Sequence, residues 1–171
     1  PYAPLIGVTA AYGVALAMTD DPAEANLDTA CAELAATRPT AVNLRWALDR
    51  MRAHLAGSPP GERAAAAWQE AAAIAEEDVR VNRALGEHGL ALILTLQDRV
   101  RRPLNILTHC NAGWLATVDW GTALAPVYLA QLAGIPVHVW VSETRPRNQG
   151  LLTAWELREQ GVAHTVIADN A

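Results

Sequence analysis

Three short apolar segments near the end of the chain constrain its fold more than any other feature of the sequence. They are LNILTHC (104–110), VHVWVSE (137–143) and AHTVIAD (163–169), and their length and character are typical of buried strands. Helical segments that end in glycine separate them, at about 114–133 and 151–160. Strands that alternate with helices predict successive βαβ units, and therefore a parallel, Rossmann-like sheet.

The first hundred residues carry a different pattern, which predicts a mainly helical region. The predicted helices are 1–19, 21–37, 41–55 and 63–86. Thr40 is expected to cap the third helix, and Val42, Trp46 and Met51 are expected to face one side of it. The fourth helix contains an acidic run at 76–78, which we expect to face solvent.

Together these patterns predict an α/β protein with two domains. Residues 1–100 form a mainly helical N-terminal domain, and residues 101–171 form a Rossmann-like α/β domain. The second domain is predicted to be incomplete at its C-terminal end, because doubly wound sheets usually have about five or six strands. The last predicted strand then has an unpaired edge, which predicts that a second copy or another chain completes the sheet.

Composition excludes several classes of function. The net charge is −5 and all 13 basic residues are arginine. The chain therefore lacks a basic surface for nucleic acid, and it lacks the lysine that Schiff-base chemistry and Walker-type loops require. No G-x-G-x-x-G motif is present, and no apolar stretch approaches the ~20 residues of a membrane span. The two cysteines, Cys31 and Cys110, form no disulfide framework, so a cytoplasmic location is predicted.

Cys110 lies at the predicted carboxyl end of a strand, where open parallel sheets bind their ligands. Asn111-Ala112-Gly113 leads from it into the predicted helix 114–133, and the start of a helix lowers the pKa of a thiol. An inert, buried thiol fits this position equally well. Cys31, among alanines in a helix, is predicted to be an unreactive residue that packs in the core. No second Cys/His pair follows His109 and Cys110 at ligand spacing, so no metal site is predicted.

Polar residues follow each predicted strand, at 108–111, 143–146 and 169–170. Because the carboxyl ends of parallel strands share one edge of a sheet, these stretches are expected to meet there. Arg38 and Arg145 each precede a proline, which restricts the backbone. Arginines held in this way suit a phosphate group, and an ordinary surface charge is the alternative.

Six ordered blocks cover nearly the whole chain. They are APLIGVTAAYGVALA, RPTAVNLRWALDRM, EEDVRVNRALGEHG, ILTHCNAGWLATVDWGTALAPVYLA, ETRPRNQGLLTAWEL and VIADNA. These blocks resemble those of the methylthioribose-1-phosphate isomerases. That family shares its fold with the α, β and δ regulatory subunits of the initiation factor 2B nucleotide exchanger.

The resemblance implies an aldose–ketose isomerase of methionine salvage, which converts 5-methylthioribose 1-phosphate to 5-methylthioribulose 1-phosphate without metal or organic cofactor. Cys110 matches the family's catalytic cysteine, Arg38 its phosphate-binding arginine and Gln149 its substrate-binding glutamine. Ala3 matches a substrate-binding position of the first block. The resemblance also implies a homodimer, with a small sugar phosphate as the only ligand.

The chain departs from the family pattern in several places. Pro1 and Tyr2 stand where the family has Arg-Gly, and the loop after Gln149 is shorter. The family's catalytic aspartate, in a G-A-D-R block, and its Asn-Lys pair have no counterpart up to Ala171, and Asp169 matches a different block. The resemblance therefore predicts that the chain alone does not turn over substrate, because the acid–base work lacks its carboxylic acid.

Two other functions fit the sequence. One is a non-catalytic binding module, related to the initiation factor 2B subunits, that senses a sugar phosphate or a nucleotide. The other is an isomerase of a related sugar phosphate, ribose 1,5-bisphosphate or 5-deoxyribose 1-phosphate. A bisphosphate requires additional basic residues, whereas Trp46, Trp114 and Trp120 fit a methylthio group better. Tryptophans at helical spacing are, however, also typical of a core.

Overall fold

The chain folds into an α/β structure, as the sequence predicts. The computed structural model describes residues 3–100 and 102–171, and within them six α-helices and one three-stranded parallel sheet are present. The helices are α1 (Pro4–Asp20), α2 (Glu24–Thr37), α3 (Val42–Leu55), α4 (Pro60–Val100), α5 (Ala125–Leu132) and α6 (Gly150–Glu159). The strands are β1 (Leu104–Thr108), β2 (Val137–Ser142) and β3 (His164–Ile167).

The chain forms two compact units, Pro1–Asp78 and Val79–Ala171. The boundary lies inside α4, whereas the sequence places the end of the helical domain at residue 100. The last part of this helix groups with the second unit because Leu90 and Ile93 pack into the core that α5 and the sheet form.

Close packing between α1 and α3 holds the first unit together. Small residues make this packing possible, since Ala11, Val14 and Ala15 of α1 are fully buried. A Cβ atom at Gly7 would lie 2.6 Å from the Asn43 carbonyl oxygen, so only glycine fits at that crossing. The first three predicted helices are confirmed for the described residues, and the predicted start of the first, at residues 1 and 2, lies outside them.

Two predictions about α3 are wrong. The buried residues lie on one side of the helix and are Leu44, Ala47, Leu48, Met51 and Leu55. They follow the spacing expected of a helix with one apolar face, which leaves Val42 and Trp46 58% and 45% exposed. Thr40 does not cap the helix, because a turn in which the Ala41 N–H donates to the Arg38 carbonyl oxygen precedes it.

Helix α4 is 41 residues long and extends past the predicted segment, 63–86, at both ends. Gly86 and Gly89 do not end it, because α5 packs directly against them. A Cβ atom at Gly89 would lie 2.3 Å from Cγ of Pro126, so these glycines serve a close helix–helix contact. Within the described part of the chain, no helix combines the length and apolar character that a membrane crossing needs.

Arg50 joins α3 to α4 through two carboxylates. Its Nε lies 2.6 Å from Glu70 Oε1, and its Nη1 lies 2.5 Å from Glu77 Oε2. In the acidic run at 76–78, which the sequence predicts to face solvent, Glu76 is exposed and the Glu77 side chain is 38% exposed while it pairs with Arg50. The paired carboxylates link the two helices within the first unit.

The sheet of the second unit has the order β1-β2-β3, and both neighbours run parallel to β2. Thr108 of β1 aligns with Val141 of β2, which in turn aligns with Val166 of β3. All three strands are one to three residues shorter than the predicted segments. Their carboxyl ends consequently lie at one edge, and the polar residues predicted to follow them form the loops there.

The segment between β1 and β2 is not the single helix that the sequence predicts over 114–133. It contains a 3-10 helix at Trp114–Ala116, an irregular loop, and only then α5. Trp120 and Gly121 interrupt the helix, since their φ angles are 69° and 76°. A Cβ atom at Gly121 would lie 2.5 Å from Cα of Gly113, so the loop folds back tightly on the residues after Cys110.

Candidate active site

The polar residues that follow the three strands meet at one edge of the sheet, as the sequence predicts. Nδ1 of His109, after β1, lies 3.1 Å from Oγ of Ser142, the last residue of β2. The Thr144 N–H, after β2, donates to Oδ1 of Asp169, after β3, over 2.8 Å. The three strand ends are therefore joined by side-chain hydrogen bonds.

Cys110 has a left-handed backbone conformation, with φ of 66°. Its N–H donates to Oγ1 of Thr144 over 2.8 Å, and its carbonyl oxygen accepts from the Thr153 hydroxyl over 2.8 Å. A non-glycine residue in this conformation costs about 1–2 kcal/mol, so it persists only where the surroundings hold it. The half-buried thiol thus stands on a backbone fixed from both sides by threonine hydroxyls.

The helix start that the sequence predicts directly after Cys110 is absent. No α-helix begins between Cys110 and Ala125, and the 3-10 helix at Trp114–Ala116 has only three residues. A helix of that length carries little dipole, so the helix-terminus argument for a reactive thiol at this position is wrong. The geometry of Cys110 comes instead from hydrogen bonds to neighbouring loops.

Glu156 of α6 organises the loop that follows Cys110. The side chain is fully buried, and its two oxygens accept four hydrogen bonds. The donors are the Asn111 amide, the Trp114 N–H, the Leu115 N–H and the Tyr128 hydroxyl, at 2.8, 2.8, 3.1 and 2.6 Å. Burial, followed by the hydrogen bond to Glu156, raises the pKa of Tyr128 far above its ordinary value, so its hydroxyl remains a donor.

The role of Glu156 is not among the sequence predictions, although the sequence contains a signal for it. The buried positions of α6 include Gly150, Thr153 and Leu157, and Glu156 falls on the same side of the helix. A carboxyl group on the apolar face of a helix requires several donors. That requirement points to an ordered loop opposite α6, and the residues after Cys110 provide it.

Asp169 joins the ends of β2 and β3. Its carboxylate accepts hydrogen bonds from the Ser142 hydroxyl, the Thr144 N–H and the Arg145 N–H. The Ser142 hydroxyl, followed by these two N–H groups, lowers the pKa of Asp169 from 3.8 to about 2. Because the Ser142 hydroxyl hydrogen goes to Asp169, the ring nitrogen of His109 next to Ser142 is the donor of their bond.

Gln149 lies in the same unit as Cys110, at the residue that precedes α6. Its side chain is half-buried, and the next residue, Gly150, packs against the end of β2. A Cβ atom at Gly150 would lie 2.0 Å from the Ser142 carbonyl oxygen, so this contact admits only glycine. The predicted substrate-binding glutamine therefore stands beside the strand ends that also hold Cys110.

The other two predicted substrate-binding residues, Ala3 and Arg38, belong to the first unit. Ala3 is half-buried at the start of α1, and its carbonyl oxygen accepts from the Ile6 N–H over 3.1 Å. Arg38 is exposed and ends α2, with φ of −144°. Residues 1 and 2, where the chain departs from the family's Arg-Gly, lie outside the described residues.

Arg145, a candidate for a phosphate site, is engaged by a neighbouring carboxylate. Its Nε lies 2.7 Å from Glu143 Oε1, and its side chain is 60% exposed. An arginine already paired with glutamate is a poorer phosphate ligand than an unpaired one.

Cys31 is 2% exposed and packs in the helical core, as predicted. Over residues 3–100 and 102–171, no three His, Cys, Asp or Glu side chains group as metal ligands.

A model of the initiation factor 2 subunit family matches residues 3–171. Among curated proteins, the methylthioribose-1-phosphate isomerase of Methylorubrum populi is 67% identical over 99% of this chain and 47% of its own length. The methylthioribose-1-phosphate isomerase of Acidiphilium cryptum is 68% identical over 99% of this chain and 46% of its own. The chain thus spans about half the length of the curated relatives it matches.

A solved structure, 5-methylthioribose 1-phosphate isomerase from Pyrococcus horikoshii OT3, superimposes with a TM-score of 0.84 and 41% identity. The whole of this chain aligns with 49% of the length of that structure. The δ subunit of translation initiation factor eIF-2B from A. fulgidus gives a TM-score of 0.81 and 42% identity, over 99% of this chain and 50% of its own. The same fold therefore occurs in proteins with two different names.

Proposed function

The chain belongs to the initiation factor 2 subunit family, and on that premise we propose that it forms part of an aldose–ketose isomerase acting on 5-methylthioribose 1-phosphate. The curated relatives at 67% and 68% identity carry that enzyme's name. Since the chain spans about half of their length, the activity is proposed for this chain together with the region that those relatives have in addition.

The backbone of Cys110 is the observation that carries the proposal. An inert packing cysteine gains nothing from a left-handed conformation, whereas a functional thiol gains a fixed direction from it. Cys31 provides the contrast, because it is 2% exposed in the middle of a regular helix. The strain at Cys110 therefore favours chemistry at this thiol over the inert alternative.

The four predicted residues have separate roles in this proposal. In the substrate, the anomeric oxygen carries the phosphate, so the sugar ring does not open by itself and requires a catalyst. Cys110 acts at the reacting sugar, and the amide of Gln149 binds sugar hydroxyls. The guanidinium of Arg38 and the backbone at Ala3 bind the phosphate. No metal and no organic cofactor take part.

We infer that the ligand is a small sugar phosphate and that neither a nucleic acid nor a membrane is a partner. We infer a homodimer in the cytoplasm, in which the sheet edge at β1 or β3 is covered by polypeptide. A net charge of −5 with no lysine supports a small-molecule enzyme over a nucleic-acid-binding protein.

A chimera tests this proposal directly. Residues 3–171 replace the matching region of the Methylorubrum populi isomerase, which is 67% identical to them, and conversion of 5-methylthioribose 1-phosphate is measured. The chimera should turn over substrate, and Cys110→Ser should abolish turnover while Cys31→Ser leaves it unchanged. Full activity of the Cys110→Ser chimera would disprove the role of the thiol, and preference for ribose 1,5-bisphosphate would identify the related isomerase instead.

The similarity to the A. fulgidus δ subunit supports a second candidate, a non-catalytic module that binds a sugar phosphate or a nucleotide. The two candidates differ in what Cys110 does. In the binding module, Cys110→Ser and the unchanged chimera bind the sugar phosphate equally well and neither converts it. Calorimetric titration of both proteins with 5-methylthioribose 1-phosphate, followed by product analysis, separates the two.

A further inference from the structure

Thr144, in the loop after β2, has an unusual backbone conformation for its residue type. Its φ is 61°, and the residue is 8% exposed. A β-branched residue is a clear outlier in the left-handed region, at a cost of about 1–3 kcal/mol. Glycine or asparagine would fit this turn with less strain, so the threonine hydroxyl must contribute something that those residues do not.

Asp169 holds Thr144 in this conformation. Its Oδ1 accepts the Thr144 N–H over 2.8 Å, and its Oδ2 accepts the N–H of Arg145, the next residue, also over 2.8 Å. Two consecutive N–H groups that point at one carboxylate define the direction of the turn. The Ser142 hydroxyl completes the set of donors, so the carboxylate ties the end of β3 to the whole loop after β2.

The Thr144 hydroxyl then fixes Cys110. It donates its hydrogen to the Ser142 carbonyl oxygen over 3.1 Å, which turns its lone pairs toward the end of β1. There it accepts the Cys110 N–H over 2.8 Å. Each of these hydrogen bonds has a single possible direction: the Cys110 N–H donates to the Thr144 hydroxyl oxygen, and the Thr144 N–H donates to the Asp169 carboxylate.

We propose that Thr144 and Asp169 are positioning residues for the Cys110 thiol. Asp169 sets the backbone of Thr144, and the Thr144 hydroxyl sets the backbone of Cys110 in its left-handed conformation. The catalytic consequence rests on the proposed isomerase function, since a fixed direction raises the rate only of a reaction at that sulfur. The hydrogen-bond chain itself is independent of which substrate the protein takes.

The first test measures hydrogen exchange at the Cys110 amide by NMR in the 171-residue chain. Thr144→Val keeps the β-branched shape, and with it the backbone strain, and removes only the hydroxyl. Because one hydrogen bond is lost, exchange at Cys110 should accelerate about tenfold. Thr144→Ser, which keeps the hydroxyl, should exchange at nearly the original rate. Equal exchange in the valine and serine variants would overturn the proposal.

Asp169→Asn tests the second link, because asparagine offers one acceptor oxygen to three donors. Exchange should accelerate at Thr144 and, through it, at Cys110. Asp98→Asn makes the same chemical change at an exposed position of α4 and should alter neither amide. Acceleration confined to Thr144 would show that Asp169 does not act on Cys110, and this outcome also overturns the proposal.

The kinetic test uses the same substitutions in the chimera with the Methylorubrum populi isomerase. Thr144→Val should lower kcat about tenfold with little change in KM, and Thr144→Ser should restore kcat, because the hydroxyl acts on the thiol's direction and not on substrate binding. An unchanged kcat in the valine variant overturns the proposal. An inactive parent chimera disproves the proposed function instead, and the exchange rates then decide the positioning by themselves.

Discussion

The two compact units differ in where their backbone is strained. In the described part of the first unit, the only positive φ occurs at Gly57, which adopts it without penalty. Among the described residues of the second unit, four other than glycine have positive φ, and they are Cys110, Trp120, Thr144 and Asn148. All four lie in loops between strands and helices. Across the part of the chain that the structure describes, this backbone strain lies in the unit that carries the thiol, as expected where a structure is built for a site.

Over residues 3–100 and 102–171, each unit also contains one buried charged side chain, and the two have different roles. Arg63 of α4 is 6% exposed and donates to the carbonyl oxygens of Pro22 and Ser58, over 2.6 and 3.0 Å. It therefore ties together two connections between helices. Glu156 is fully buried and accepts four donors, three of which belong to the loop after Cys110. One charge secures a helical scaffold, and the other secures an irregular loop.

Replacing Glu156 should have the largest effect of any change considered. Glu156→Ala leaves a buried tyrosine hydroxyl and two backbone N–H groups without an acceptor, which should lower the free energy of unfolding by about 3–5 kcal/mol. Arg63→Met, in the other unit, leaves the carbonyl oxygens of Pro22 and Ser58 without their donor. It should lower the free energy of unfolding by about 1–3 kcal/mol. Urea unfolding monitored by tryptophan fluorescence measures both.

The informative result is which of the two substitutions lowers the free energy of unfolding more. If Arg63→Met costs more than Glu156→Ala, the helical unit depends on its buried charge more than the strand-end loops depend on theirs. The contrast between scaffold and site would then be wrong. Glu156→Gln, which keeps one acceptor oxygen and the shape, should fall between the parent protein and Glu156→Ala.

The sequence predicts the first unit better than the second for a physical reason. The helices of the first unit follow from local patterns: α2 and α3 end at their predicted last residues and begin within three residues of their predicted starts. The second unit depends on contacts between distant residues: Glu156 reaches Trp114, and Asp169 reaches Thr144. No local pattern contains such a contact, which is why the region around 114–124 is wrongly predicted as helix.

The sequence and the family resemblance predict where the candidate site lies. They do not predict the backbone conformation of its residues. The meeting of the three strand ends follows from parallel pairing, and the sequence contains that information. The left-handed backbone of Cys110 does not follow from its neighbours in sequence, because Thr144 and Thr153 impose it. Similarly, α4 continues past Gly86 because α5 covers that face, a tertiary contact that overrides glycine's low helix propensity.

Glycine substitution at the two cysteines should give opposite results. At Cys110, with φ of 66°, Cys110→Gly should be about 1 kcal/mol more stable than Cys110→Ala, because alanine retains the steric penalty that glycine lacks. At Cys31, inside α2, Cys31→Gly should be about 1 kcal/mol less stable than Cys31→Ala. Thermal or urea unfolding of the four variants measures both differences. The same sign at both positions would contradict the assignment of strain to the second unit.

The smallest expected effect concerns the ionisation of Asp169. Its pKa is lowered to about 2 in the folded chain, from an ordinary value of 3.8, chiefly by the Ser142 hydroxyl and then by the N–H groups of Arg145 and Thr144. The unfolded chain therefore takes up this proton at a higher pH than the folded chain does. Stability that depends on the Asp169 charge is fully present above about pH 4, and it is lost as the pH falls toward 2.

The difference in unfolding free energy between the parent chain and Asp169→Asn should accordingly be constant from pH 5 to 7 and shrink below about pH 4. The carboxyl carbon of Asp169, followed by NMR, should titrate with a midpoint near 2. A midpoint near 3.8 would show that the three donors do not hold the carboxylate in solution. The hydrogen-bond chain from Asp169 to Cys110 would then lack its first link, and the strained turn at Thr144 would have nothing to maintain it.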